Sequence, residues 1–255
     1  QRHKTDSDND PFAQGAIYLQ TGAIHTVKPL EVHIPRGKLT AVTGVSGSGK
    51  TTLVDLILRT YNVPAGMLFI DGHDVNTIPI RQVRAASAYV PQDNFLFSDT
   101  IENNIAFATD GGSIDDVIKA AKLADVHGNI SEFQEQYATV LGERGVTVSG
   151  GQKQRISIAR ALMKEANILI LDDSVSAVDT ETERVIISNL RENRRGKTTI
   201  LIAHRISTVE KMDKIVFVDD GRVIAVGSHE QLVSDCAEYA TMVELQKLEE
   251  EKEGV

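Results

Sequence analysis

The sequence predicts an α/β fold in which a largely parallel sheet carries helices on both faces, and three observations predict it. From Ser149 onward, helical patterns alternate with short apolar runs at 168–172, 198–203 and 215–218, each of buried-strand length. Residues 39–43 form a further strand-like run that passes through a glycine-rich turn into the helical pattern Leu53, Leu56, Ile57. Ahead of it, β-like segments near 17–19 and 27–34 suggest an additional β layer. The elements divide into a polar linker (1–13), an N-terminal β layer with the first strand–loop–helix (14–79), a helix-rich segment (80–152), the rest of the α/β core (153–240) and a charged C-terminal helix (241–255). Within the helix-rich segment Ser113 is suited to cap a helix through Ala124, with Asp115 and Asp116 in a first turn that favours negative charge. The stretch from Tyr239 is expected to be an amphipathic helix that frays over 249–255.

Composition narrows the function classes. The 255 residues suffice for one large domain or two modest ones. A content of 41% hydrophobic and 25% charged residues is that of an ordinary globular chain. The net charge of -9, with Lys and Arg scattered, argues against a chain that grips a nucleic acid backbone. A lone cysteine, Cys236, excludes an internal disulfide framework and a cysteine-based metal site, and fits a reducing compartment. No run approaches the roughly 18 to 20 consecutive apolar residues that span a bilayer. The chain opens at Gln1 with ten polar residues, which reads as linker and as a piece of something longer.

Gly44, Val45, Ser46, Gly47, Ser48, Gly49, Lys50 and Thr51 fill the pattern G-x-x-x-x-G-K-[ST], in the strand–loop–helix context the pattern requires, with Thr52 next in the helix. Glycine lets the backbone curl so that successive N–H groups converge on an anion. The helix that follows adds its positive N-terminal end. Lys50 is expected to reach the β- and γ-phosphates and Thr51 to ligate Mg²⁺. The bland alternative is a Gly/Ser-rich turn, and it leaves the complete match in context unexplained. The apolar run from 168 ends in Asp172 and Asp173. A buried strand that delivers a carboxylate at its C-terminal edge is how phosphate-loop ATPases hold magnesium through water. Alone, that run is equally a strand entering an acidic turn; beside the glycine loop it implies a nucleotide site. Ser149, Gly150, Gly151 and Gln152 open a helix, with Ser149 and Gln152 spaced as a capping box. A Ser-Gly-Gly helix start is also a second anion site. Two phosphate-binding elements with one lysine loop suggest that the second serves a neighbour's nucleotide.

In order and spacing these motifs resemble the ABC ATPase family. In its terms residues 44–51 look like Walker A, Gln92 like the Q-loop glutamine, and 168–172 like Walker B. Residues 148–152 look like the signature, with Val148 where Leu is usual; 176–179, ending in Asp179, look like the D-loop, and His204 like the switch histidine. From about Thr52 to the C-terminus the likeness is to multidrug and lipid exporters of the bacterial half-transporter type, carried also by residues 95–101, 142–145 and 203–207. The resemblance implies a P-loop, RecA-like ABC ATPase core with an N-terminal antiparallel β layer and an inserted helical subdomain. It implies MgATP hydrolysis, with ATP and Mg²⁺ as cofactors, Lys50 on phosphate, and Thr51, Gln92 and Asp172 around the metal. Asp173 would orient the attacking water and His204 would sense the γ-phosphate. As partners it implies a second ABC ATPase domain, arranged head to tail so that each Walker A faces the other's Ser149–Gln152 element. It also implies exporter transmembrane domains that meet residues 92–97, and a cytoplasmic position at the inner face of the plasma membrane.

Two departures qualify the likeness. Exporters carry Glu where this chain has Asp173, whose side chain is one methylene shorter. A displacement of about 1 Å in a catalytic group can cost on the order of 10²-fold in rate. Asp here resembles the slow half of heterodimeric exporters, which lends its signature to the partner's competent site. A non-hydrolysing, ATP-gated binding module is a further reading. The second departure is residues 15–51, which resemble the excision-repair ABC ATPase UvrA. The apparent change of likeness near 51–53 suggests a chimaera, or a soluble DNA-repair ATPase. Exporters also stack an aromatic residue on adenine, worth about 1–3 kcal/mol by analogy with base stacking. Tyr18 is the candidate here, with His25 as a weak substitute.

Overall fold

The computed structural model describes residues 16–24, 26–109, 112–142 and 147–253. The expected linker 1–13 and His25 lie outside them. In chain order the elements are β1 (Ile17–Thr21), β2 (Leu30–Ile34), β3 (Leu39–Thr43), α1 (Lys50–Ile57), β4 (Leu68–Ile70), β5 (His73–Asp74), α2 (Ile80–Ala86) and β6 (Ser87–Val90). There follow α3 (Ile101–Ala106), α4 (Ile114–Leu123), α5 (His127–Ser131), α6 (Gly150–Met163), β7 (Ile168–Asp172), α7 (Thr180–Asn193), β8 (Thr198–Ile202) and α8 (Ile206–Val209). The chain closes with β9 (Lys214–Asp219), β10 (Arg222–Gly227), α9 (His229–Asp235) and α10 (Ala237–Glu253).

The strands form two sheets. One is antiparallel with order β2-β1-β4-β5, and the other has order β10-β9-β3-β8-β7-β6, parallel from β9 to β6 with β10 antiparallel at its edge. Side chains on a strand alternate faces, and β7 makes the consequence plain. Ile168 and Ile170 enter the core shared with α1 and the small sheet, while Leu169 and Leu171 enter the core shared with α4, α6 and α7. Both faces are therefore covered along β3, β7 and β8, which are buried at every position, while the edge strand β10 stays partly exposed. Helix α1 lies between the sheets, burying Leu53, Val54, Leu56 and Ile57.

The helix caps follow the local sequence. Ser113 and Asp116 form a reciprocal capping box at α4, whose last residue is Leu123 with Ala124 as its C-cap. Three expectations are corrected. Strand β2 starts at Leu30 rather than Val27, because Ile24 and Val27 close a tight bridge and Pro29 follows. The segment 80–152 is not wholly helical, since β6 falls within it and pairs with β7 in the large sheet. Helix α10 continues through Glu253 rather than fraying from Glu249.

Candidate functional site

The site lies at the C-terminal edge of the parallel strands, where β3, β7 and β8 end. A cleft of about 300 Å³ is lined by Thr26, Ser46, Gly47, Gly49, Lys50, Thr51, Thr52, Gln92, Asp172, Asp173, Ile202 and His204. The loop between β3 and α1 takes its shape from glycine. Gly44 has φ 144, and a Cβ there would stand 1.8 Å from the Val218 carbonyl of neighbouring β9, so no other residue fits. Gly49 caps α1 in the left-handed region at φ 96. Lys50 is buried, and its ammonium donates to Gly44 O at 3.0 Å, Val45 O at 2.7 Å and Ser48 Oγ at 3.4 Å. Burial lowers its pKa against the opposing pull of the Asp173, Asp172 and Asp219 carboxylates.

Opposite the loop, Asp172 is buried, with Oδ1 accepting from the Thr51 hydroxyl at 3.4 Å and Oδ2 from the Tyr89 hydroxyl at 3.1 Å. Desolvation raises its carboxyl pKa, only partly offset by those two donors, and the Asp173 and Asp55 carboxylates push the same way. Tyr89 is in turn driven up, first by desolvation and then by the Asp172 charge, so it stays a donor. Asp173 follows at φ 49, its N–H donating to Ile202 O at 3.2 Å across to β8. His204 stands just past β8, with a pKa lowered by desolvation first and by the Lys50 ammonium second. Thr51 Oγ1, Asp172 and the amide of Gln92 make an all-oxygen donor set in one cleft, which suits a hard cation that keeps several waters.

The remaining sequence-predicted residues fall elsewhere. Ser149 caps α6, with its Oγ accepting from Gln152 N at 3.2 Å and Gln152 Oε1 accepting from Ser149 N at 3.0 Å. None of Ser149, Gly150, Gly151 or Gln152 lines the cleft, and Ser149 and Gly150 are exposed. Asp179 caps α7 by accepting from Thr182 N at 2.9 Å. Tyr18, the expected adenine contact, does not line the cleft. It sits on the outer face of β1 against His33 and Phe69, and its hydroxyl donates to Glu31 Oε1 at 3.0 Å. The alternation that buries Ile17 and Leu19 turns Tyr18 away from the cleft.

Several site residues carry no sequence signal. Thr26 pairs its hydroxyl with that of Thr52 at 2.8 Å, and Tyr89 steadies Asp172. Arg205 ties the segment after β8 to the turn after β7, donating to Ser176 O at 3.0 Å, Val178 O at 3.1 Å and Glu183 Oε2 at 2.7 Å. Gln154 of α6 accepts from Ala177 N in that turn at 3.2 Å. Tyr89 comes beside the carboxylate strand only through the pairing of β6 with β7.

Such a site, a lysine loop facing a strand-borne carboxylate across a RecA-like sheet, defines a phosphate-loop nucleotide-binding protein. The profile described as ABC transporter matches residues 27–176, more than half of the chain. The chain belongs to the ABC transporter family, as an ATPase domain of it. The ATP-dependent lipid A-core flippase of Vibrio vulnificus (strain YJ016) is 47% identical over 84% of this chain and 37% of that protein. ABC transporter B family member 17 of Arabidopsis thaliana is 43% identical over 93% of this chain and 19% of that protein. A solved bacterial Atm1-family ABC exporter with ATP bound aligns with a TM-score of 0.86 at 38% identity, over 91% of this chain and 42% of that one. The chain thus spans less than two fifths of these curated relatives. The expected break near 51–53 finds no support, because the profile match runs across it and the Arabidopsis relative covers 93% of the chain. The likeness to UvrA and the chimaera reading are accordingly set aside.

Proposed function

We propose that this chain binds MgATP in the cleft and hydrolyses it slowly, as the motor domain of an exporter that works in a head-to-tail pair. The observation that carries the reading is convergence. Lys50, Thr51, Gln92, Asp172, Asp173 and His204 meet in one cleft, while the second anion-binding element, Ser149–Gln152, opens outside it. Lys50 neutralises phosphate charge, and Thr51, Gln92 and Asp172 would hold Mg²⁺, which would supply further charge neutralisation at the phosphates. Asp173 orients water in line with the γ-phosphorus, and His204 contacts the γ-phosphate. Positioning and charge neutralisation carry most of the catalysis.

The named relatives are a flippase, a transporter and an exporter, which supports transmembrane domains as partners and a position at the cytoplasmic membrane face. No described helix is long and apolar enough to cross a membrane. Asp173 favours the finer reading in which this chain is the slow half of a heterodimer. A titration of MgATP followed by sedimentation tests the proposal. The chain is expected to bind MgATP and to shift towards dimer on binding, and Lys50→Ala to lose both. Binding that is indifferent to Lys50→Ala would remove the reading.

A further inference from the structure

The last helix of the chain reaches the switch segment. Its start is well anchored: Tyr239 is fully buried, its ring edge-on to Phe217 at 5.5 Å and its hydroxyl 2.9 Å from His229 Nδ1. Val243 is buried one turn further on. Gln246 then bridges the loop between β8 and α8. Its Nε2 donates to His204 O at 2.7 Å, and its Oε1 accepts from Ile206 N at 2.9 Å. These partners fix the orientation of the amide, since a carbonyl requires the NH₂ end and a backbone N–H requires the oxygen. Ile206 is the first residue of α8, and the side chain of its N-cap residue, Arg205, makes no capping hydrogen bond. Gln246 therefore satisfies, from a position forty residues away in sequence, one of the backbone N–H groups that the first turn of α8 leaves without an intrahelical partner.

We propose that Gln246 is a positioning residue for His204, and that α10 and the switch segment form one mechanical unit. Both backbone groups that Gln246 grips flank Arg205, whose guanidinium holds Ser176 and Val178 on the other side. His204 thus projects into the cleft from a segment clamped between the turn after β7 and the C-terminal helix. Displacing α10 breaks both Gln246 bonds together and frees the backbone that aims His204. The catalytic meaning rests on the MgATP reading above; the clamp itself does not.

The test uses the whole 255-residue chain with Gln246→Leu, which removes both bonds, and Gln246→Glu, which keeps the acceptor for Ile206 and loses the donor to His204. Amide hydrogen exchange at Ile206 is expected to quicken about tenfold in Gln246→Leu, the worth of one ordinary net hydrogen bond, and to stay protected in Gln246→Glu. In steady-state hydrolysis both variants are expected to lower kcat, Gln246→Leu by about tenfold, with KM little changed. In a His204→Ala background Gln246→Leu is expected to add no further loss, because it acts through His204. Unchanged exchange at Ile206 would overturn the clamp. A full additional loss in the His204→Ala background would overturn the link to His204. If the unsubstituted chain hydrolysed nothing, the functional reading would fall while the exchange data still decided the clamp. Loss of protection in β3 and α1 would mark Gln246→Leu as misfolded, leaving Gln246→Glu to decide the link to His204.

Discussion

Asp173 sits at φ 49, a left-handed position that Asp and Asn visit more readily than longer residues. The backbone there is fixed by its N–H to Ile202 O and by its carbonyl, which accepts from the Ser176 hydroxyl at 2.8 Å. Only the length of the side chain is then free to change. Asp173→Glu extends the carboxylate towards the phosphate end of the cleft and is expected to raise kcat by on the order of 10²-fold. The same change is expected to cost about 1 kcal/mol of stability, because Glu tolerates the left-handed position less well. Steady-state hydrolysis and thermal unfolding read the two effects, and a rate unmoved by the longer side chain would show that water is positioned elsewhere. At His204 desolvation and then the Lys50 ammonium hold the pKa below the ordinary 6.5. A depressed value means that the unfolded chain takes up the proton first as pH falls. The stability this group contributes is thus present above pH 6.5 and lost as pH drops through the lowered pKa. An NMR titration of His204 is expected to show a midpoint below 6.5 that rises in Lys50→Gln, where the second cause is gone. A midpoint indifferent to Lys50 would separate the two residues electrostatically.

The first turn of helix α6 is capped by its own side chains and, in the proposed reading, also meets a neighbour's phosphate. The Ser149–Gln152 box satisfies its leading N–H groups, and removing a Ser cap costs about 1 kcal/mol. Ser149→Ala is expected to lose that much in denaturant unfolding, and to lose hydrolysis out of proportion if the turn also meets a neighbour's phosphate. A stability loss with unchanged hydrolysis would leave Ser149 as a cap alone. Elements such as this one were legible in the sequence because their determinants are local. The capping boxes, the glycine loop and the Ile–Leu alternation of β7 each occupy a few consecutive residues. Strand β6 was hidden because its four residues, Ser87–Val90, follow α2 directly and become a strand only by pairing with β7. The face of Tyr18 was hidden because it depends on the register of β1 against β2 and β4. The contacts of Arg205 and Gln246 left no trace, since their partners lie 22 to 42 residues distant.

Across the whole molecule, two cores share the large sheet, and the cleft opens where the parallel strands end. Lys50, Asp172 and His204 reach it from three different strand–helix junctions, which holds their geometry to the rigid sheet. The Ser149–Gln152 turn exposes Ser149 and Gly150 on the same chain yet is absent from its cleft. If that turn binds phosphate, it does so in another copy's site or in a related partner's, and one chain alone holds only half of each site. The measurement that tests this most directly is the specific rate of MgATP hydrolysis as a function of protein concentration. The expected result is a rate per chain that rises with concentration and levels off as dimers saturate. A measurable rate per chain that stayed constant from the most dilute sample upward would mean that each cleft is complete by itself, and would contradict the shared-site account.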